Sequence, residues 1–224
     1  MLKSDFQSDS WWQALAYRLT TFAWLKAMGT TFFMTAFFWA YFYLQQNPLY
    51  PVRVMPLTAV DRWLAFLPAA LPLYLSLWLY VSLPTALLKT LPDILRHGAY
   101  LGGVCLIGIG VFLLYPTAVP GVNVAWAGEG IGWLKGIDAA GNACPSLHVA
   151  TAVYSALWLA AILREVAAPL WLCRVNWLWC IGIVYSTMAI RQHVFLDVAA
   201  GIVLGALLGL LSLRQQRFRR PARA

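Results

Sequence analysis

Residues 194–213 read VFLDVAAGIVLGALLGLLSL, twenty positions with a single ionisable side chain, Asp197. About 20 apolar residues are what a helix needs to cross a bilayer. A run of this kind inside a 224-residue chain that is 62% hydrophobic and 11% charged excludes an ordinary soluble domain, whose water-facing surface carries far more charge. Gly201, Gly205 and Gly209 recur within it at four-residue intervals, a stripe that lets a neighbouring helix approach closely.

Working outward, five more apolar stretches have spanning length, roughly Met28 to Leu44, Trp63 to Leu88, Gly98 to Tyr115, Leu147 to Leu163 and Trp171 to Ile190. The expected fold is all-α: a polytopic membrane bundle of about six transmembrane helices over residues 28–213. Pro68, Pro72 and Pro84 predict a kinked or broken second span. Before the first span, Trp11, Trp12, Leu15, Leu19, Phe22 and Ala23 recur at helical spacing with Arg18 and Lys26 among them. An N-terminal interfacial amphipathic helix over residues 1–27 is expected, and residues 214–224 form a basic tail. No small-residue cleavage site follows a short apolar core, so no removable signal is expected.

The formal charge of +8 is distributed at span ends and in the tail arginines, as orientation signals and lipid-headgroup contacts are, and not as the basic face of a nucleic-acid binder. Lys3, Arg18, Lys26, Lys89, Arg96, Arg164, Arg174 and the tail fall on one side, against Arg53, Arg62, Lys135 and Arg191 on the other. The richer side is expected to be cytoplasmic, with both termini inside, and a bacterial inner membrane is the expected location. Four cysteines without a CxxC pair give no disulfide framework.

Two segments carry chemistry, and the charge count puts both on the outer side. Cys144-Pro145-Ser146-Leu147-His148 opens the fourth span, and Ser186-Thr187-Met188-Ala189-Ile190-Arg191-Gln192-His193-Val194-Phe195-Leu196-Asp197 joins the fifth to the sixth. His193 and Asp197 are four apart and share a helix face, so the carboxylate can hold one imidazole nitrogen protonated and leave the other basic. Such a histidine serves as nucleophile toward phosphorus, general base or metal ligand. Pro145 and Ser146 open a helix whose first amides attract phosphate, with the Ser146 hydroxyl as an added donor. His148 lies a turn inside, in reach of a leaving-group oxygen. An Asp one turn into an apolar segment is costly and reads as functional. A histidine proton relay in a non-catalytic transporter is the rival reading, but it leaves the Pro-Ser and Asp positions unexplained, and no internal repeat is evident.

Pro-Ser-x-His at one span, then His-x-x-x-Asp at the next but one, resembles the type 2 phosphatidic acid phosphatase and haloperoxidase superfamily, over about Tyr115 to Gly205. The Pro-Ser-Leu-His form, Ser-Thr-(x5)-His-(x3)-Asp, and Tyr115-Pro116-Thr117-Ala118-Val119-Pro120 resemble its inositol phosphorylceramide synthase-like branch. The resemblance implies His193 as the nucleophile that becomes phosphohistidine, Asp197 as its orienting partner, His148 as general acid and Ser146 as a phosphate-binding hydroxyl. It also implies no metal or other cofactor, a lipid phosphate substrate, and either hydrolysis or transfer to a lipid or polyol hydroxyl.

Thr187 stands where many relatives have a phosphate-binding Arg. Lys89 and Arg96 have the spacing of the family's Lys-(x6)-Arg-Pro motif, but His97 follows, and the charge count puts them across the bilayer; they are read as orientation charges. The cation expected at the phosphate is therefore Arg191, with Lys135 weaker and Tyr115 a further substrate contact. Trp126 and Trp133, in the loop between Ala118 and Asn142, are expected as interfacial anchors more than as a lid. Head group, acceptor and oligomeric state do not follow from these residues.

Overall fold

The computed structural model describes residues 10–120 and 141–219. The helices α1 (Trp11–Thr20) and α2 (Ala23–Gln46) are followed by a two-residue strand β1 (Arg53–Val54) and a short helix α3 (Ala59–Trp63). A 3-10 turn (Pro68–Ala70), α4 (Leu71–Leu75) and α5 (Leu77–Leu87) come next, then α6 (Leu91–Leu114) and β2 (Thr117–Ala118). The chain ends in α7 (Leu147–Glu165), α8 (Leu170–Ala189) and α9 (Phe195–Arg219). Among the described residues, four helical segments are long and apolar enough to cross a membrane: Pro68–Leu87, Leu91–Leu114, Leu147–Glu165 and Phe195–Gln215. The α2 and α8 helices are as long, but their apolar residues are diluted by polar and aromatic side chains.

The prolines do to the second segment what their chemistry dictates. Residues 64–67 are not helical, Pro68 and Pro72 open successive short helical pieces, and only α5 carries its proline, Pro84, inside.

The α7 helix is the axle of the bundle. Tyr154 and Trp158 on it are fully buried, and α9, α8, α5 and α6 all pack around it. The glycine stripe sets how near α9 comes. A Cβ on Gly201 would sit 2.5 Å from the Ser146 carbonyl oxygen, one on Gly205 would collide with the Ala150 backbone, and one on Gly209 would lie 2.7 Å from Leu157. Small residues on α9 thus let two backbones touch without intervening side chains. Several buried polar groups in this core are paired, which a medium without water favours. Tyr80 donates to Asn176 Oδ1 at 2.7 Å, Asn176 donates to the Ala156 carbonyl at 3.0 Å, and Trp158 Nε1 donates to Ser212 Oγ at 2.9 Å.

At the far end of α7, Glu165 accepts from Lys89 at 2.9 Å and lies 3.3 Å from Arg18. Nineteen residues separate these groups from Ser146, about 28 Å along a helix. Lys89 is therefore a helix length away from the Pro-Ser-x-His segment, and Arg96 is engaged with Asp93 at 3.2 Å. Arg18 and Lys26 are turned inward, 4% and 6% exposed, while Trp12, Tyr17 and Leu19 of α1 face outward.

Candidate functional site

Three connections converge on the other end of the bundle. The β1 and β2 strands pair in parallel, Arg53 with Thr117 and Val54 with Ala118. Fully buried Thr117 then accepts the Cys144 N–H on its hydroxyl at 2.9 Å and the Ala143 N–H on its carbonyl at 3.2 Å. Thr117 thus anchors the loop that enters α7 through the cis Cys144–Pro145 peptide. Ser146 is the N-cap of α7, its hydroxyl accepting from the Val149 N–H at 3.3 Å.

The segment between α8 and α9 is a tight turn built on Thr187. Its carbonyl accepts from Gln192 at 3.0 Å and from His193 at 3.1 Å, and Arg191, just before them, takes a left-handed φ of 60°. Asp197 caps the next helix, accepting the Val194 N–H on Oδ2 at 3.1 Å. The Ser146 N–H donates to the Asp197 carbonyl at 3.0 Å, so the beginnings of α7 and α9 are bonded to each other. Gly201 makes that approach sterically possible. The stripe and the two motifs are thereby one arrangement: close packing of α7 on α9 brings segments 45 residues apart into one corner.

In that corner the His148 and His193 rings lie 5.8 Å apart, centroid to centroid, tilted by 56°. His193 is 7% exposed, and its Nδ1 faces Asp197 Oδ2 at 3.6 Å. That is an ion-pair distance, longer than a hydrogen bond, of the sort that tightens in substrate complexes. Asp197 itself has no exposed surface. His148 is half-buried, stacked on Tyr74 at 4.6 Å and met edge-on by Trp78 at 5.7 Å. Both histidines line a cavity of about 680 Å³ whose walls come mainly from apolar side chains of α2, α4, α5 and α6. Asn142, also at φ 53°, lines the same end and donates to the Tyr41 carbonyl at 3.1 Å.

The other residues singled out from sequence stand as follows. Ser146 and Thr187 are fully buried behind the histidines, and the Thr187 hydroxyl donates to the Val184 carbonyl at 2.8 Å. Arg191 donates from its two terminal nitrogens to the Asp61 carbonyl at 2.7 Å and the Leu64 carbonyl at 2.6 Å. Tyr115 is half exposed, with the Arg53 guanidinium 4.9 Å over its ring. Lys135, Trp126 and Trp133 lie outside the described residues. The remaining histidine, His97, is buried elsewhere between Tyr154 and Trp158, at 5.2 and 5.0 Å. Among the described residues no group of three or more His, Cys, Asp or Glu side chains could hold a metal ion.

Sequence reasoning missed Asp61, Tyr74, Trp78 and Asn142. Asp61, 3% exposed, accepts the Phe195 N–H on Oδ1 at 2.7 Å and the Thr58 N–H and hydroxyl on Oδ2. Burial alone raises a carboxyl pKa, but the hydrogen bonds from Thr58 and Phe195 and the neighbouring Arg191 charge outweigh it and hold Asp61 below the ordinary carboxylate value. Thr58 and Asp61 form a capping pair three apart, a signal legible in sequence; the reach to Phe195 is not. Burial, and then the charge of Asp197, push the Cys144 thiol up to about 11.

A family model described as the PAP2 superfamily matches residues 126–221, which hold both histidine motifs and make up a little under half of the chain. No curated protein and no solved structure matches the chain. The PAP2 match supports the superfamily, and with it an enzyme of phosphatase or phosphotransferase type carried on membrane helices.

Proposed function

We propose that the chain is an integral membrane enzyme that cleaves a lipid phosphate ester at the outer leaflet through a phosphohistidine on His193. The observation that carries this is the pair of imidazoles 5.8 Å apart at one end of an apolar cavity, with the Asp197 carboxylate behind one of them. Its Nδ1 turned to Asp197, His193 has Nε2 left to attack. The Nε2 lone pair forms a bond to phosphorus as the bond to the lipid oxygen breaks, and that oxygen takes a proton from His148. Water then attacks the phosphohistidine, His148 taking the proton, and the P–N bond breaks to release phosphate. In the transfer version a lipid or polyol hydroxyl replaces water, as the resemblance to the inositol phosphorylceramide synthase-like branch suggests.

Phosphoryl transfer needs positive charge around the phosphate oxygens. Arg191 is the proposed source; with one N–H of each terminal nitrogen on the Asp61 and Leu64 carbonyls, the Nε–H and the second N–H of each terminal nitrogen remain as donors. Ser146 fixes the α7 entry, and Thr187 fixes the His193 backbone. The outward orientation follows the count of Lys and Arg, and the clustering of Arg18, Lys26 and Lys89 at the end of the bundle opposite the histidines supports it. The test is to offer the purified, reconstituted protein a panel of lipid phosphates. Phosphate release marks hydrolysis and a new phospholipid marks transfer. No turnover, or full turnover in His193→Ala, would sink the mechanism, and an unchanged KM in Arg191→Ala would remove the phosphate clamp.

A further inference from the structure

The cavity does not stop at the histidines. On α2 its lining runs from Tyr41, beside Asn142 and the histidine pair, down through Phe37 and Phe33 to Gly29 and Lys26. Tyr41 to Gly29 is twelve residues, about 18 Å, and Lys26 lies a further turn below. One leaflet of bilayer hydrocarbon is about 15 Å deep, so the cavity exceeds a leaflet. The opposite wall runs the same course, from Tyr74 and Trp78 to Thr85, and on α6 from Cys105 to Ile94. At the floor, the Lys26 ammonium donates to the Arg18 and Ala86 carbonyls at 2.6 and 2.8 Å, so Lys26 offers the cavity its carbon stem.

Two glycines stand in the lower walls. A Cβ built on Gly29 or on Gly98 meets no atom within 4 Å, and both residues line the cavity. A Cβ on Gly102, one turn above Gly98, would meet Phe33 at 3.8 Å, which sets Gly98 near the level of Gly29. Neither residue has a positive φ, so backbone conformation does not require glycine there; the missing side chains keep the channel open. We propose that this cavity holds a single apolar tail of the phosphate substrate, and that Gly29 and Gly98 set the tail length it accepts. The inference rests on the lipid phosphate reading above and adds the shape of the lipid to it. A tail entering from the bilayer exchanges one apolar medium for another, so length gives little affinity; selection comes from where the tail end meets an obstruction.

The test uses the full chain in phosphatidylcholine vesicles, with octyl phosphate and octadecyl phosphate as probes and consumption of each followed by mass spectrometry. Gly29→Leu and Gly98→Leu fill the lower channel, and leucine favours a helix over glycine, so folding is retained. Gly110→Leu is the control: it lies on the same helix as Gly98, its Cβ also meets no atom within 4 Å, and it does not line the cavity. The expected result is a fall of at least about tenfold, about 1.4 kcal/mol, in kcat/KM for octadecyl phosphate in both cavity variants. Octyl phosphate, whose tail ends above Gly29, should be consumed as by the wild type, and Gly110→Leu should change neither. An octadecyl-to-octyl ratio in Gly98→Leu and Gly29→Leu equal to the wild-type ratio overturns the tail channel while leaving phosphoryl chemistry intact. Failure of the wild-type protein to consume either probe, or any lipid phosphate, overturns both readings together.

Discussion

Asp197→Asn isolates the charge behind His193 with little other disturbance. The carboxylate is buried at 3.6 Å from Nδ1, and Oδ2 also accepts the Val194 N–H at the start of α9. Asp197 is the third residue of α9 and reaches back to the Val194 N–H; an asparagine side-chain oxygen accepts the same bond, so stability should change by less than about 1 kcal/mol. What disappears is a negative charge facing an imidazole that becomes cationic as it takes up phosphorus. At an effective dielectric of about 20, unit charges 3.6 Å apart interact by roughly 4 to 5 kcal/mol. If the full attraction develops only in the transition state, the loss is about three orders of magnitude in turnover. The assay is single-turnover and steady-state consumption of a lipid phosphate by reconstituted wild-type and variant protein, with thermal unfolding measured alongside. A variant that unfolds like the wild type and turns over within about tenfold of it would refute the assignment. So would a loss of rate matched by a loss of folded protein, since Asp197 would then be a structural cap.

Gly205→Ala should destabilise the protein by about 1 to 3 kcal/mol despite alanine's better helix propensity, because the added methyl runs into the Ala150 backbone; thermal unfolding reads it. Asp61→Ala should loosen the joint between α3 and α9, costing about 1 to 3 kcal/mol through the unpaired Phe195 N–H, with a matching loss of turnover. Because its folded pKa is lowered, Asp61 contributes stability above the ordinary carboxylate value of about 3.9, and that contribution is lost as pH falls below it. Acid unfolding of Asp61→Ala should therefore be shallower than that of the wild type. Cys144, with its thiol raised to about 11, should react with iodoacetamide at pH 8 far more slowly than a free thiol; labelling at the free-thiol rate would contradict its burial beside Asp197.

Much of this molecule was legible in its residues because the relevant physics is local. Long apolar runs, prolines in the second run and the glycine stripe each act through immediate neighbours on the chain, and helices with a broken Pro68–Leu87 segment follow. Spacing alone pairs His193 with Asp197, but His193 lies in the turn before α9 and Asp197 reaches it from the first turn of that helix; the Ser146 cap needed only its place before α7. Among the described residues four helices meet the apolar length needed to span, and the α2 and α8 helices show why counting from composition blurs: both are long enough yet carry many polar and aromatic side chains.

What required the tertiary structure is everything that depends on how those helices meet. The motif spacing on the chain says nothing about the distance between His148 and His193; the contact of Gly201 with the Ser146 carbonyl decides it. The direction of Arg191 was likewise undetermined, since a left-handed turn residue can point its long side chain several ways, and the α3 carbonyls select one. Tyr74 and Trp78 carry no motif, and they surround His148 because the segment is broken into α4, laid against α8, and α5, laid against α7. The sequence by itself determined the bilayer as solvent, the helices and the reactive side chains, because hydrophobicity and spacing are properties of the chain. Only the tertiary structure decided that those side chains share one corner at the head of a deep apolar cavity, because helix packing sums many weak contacts between distant residues.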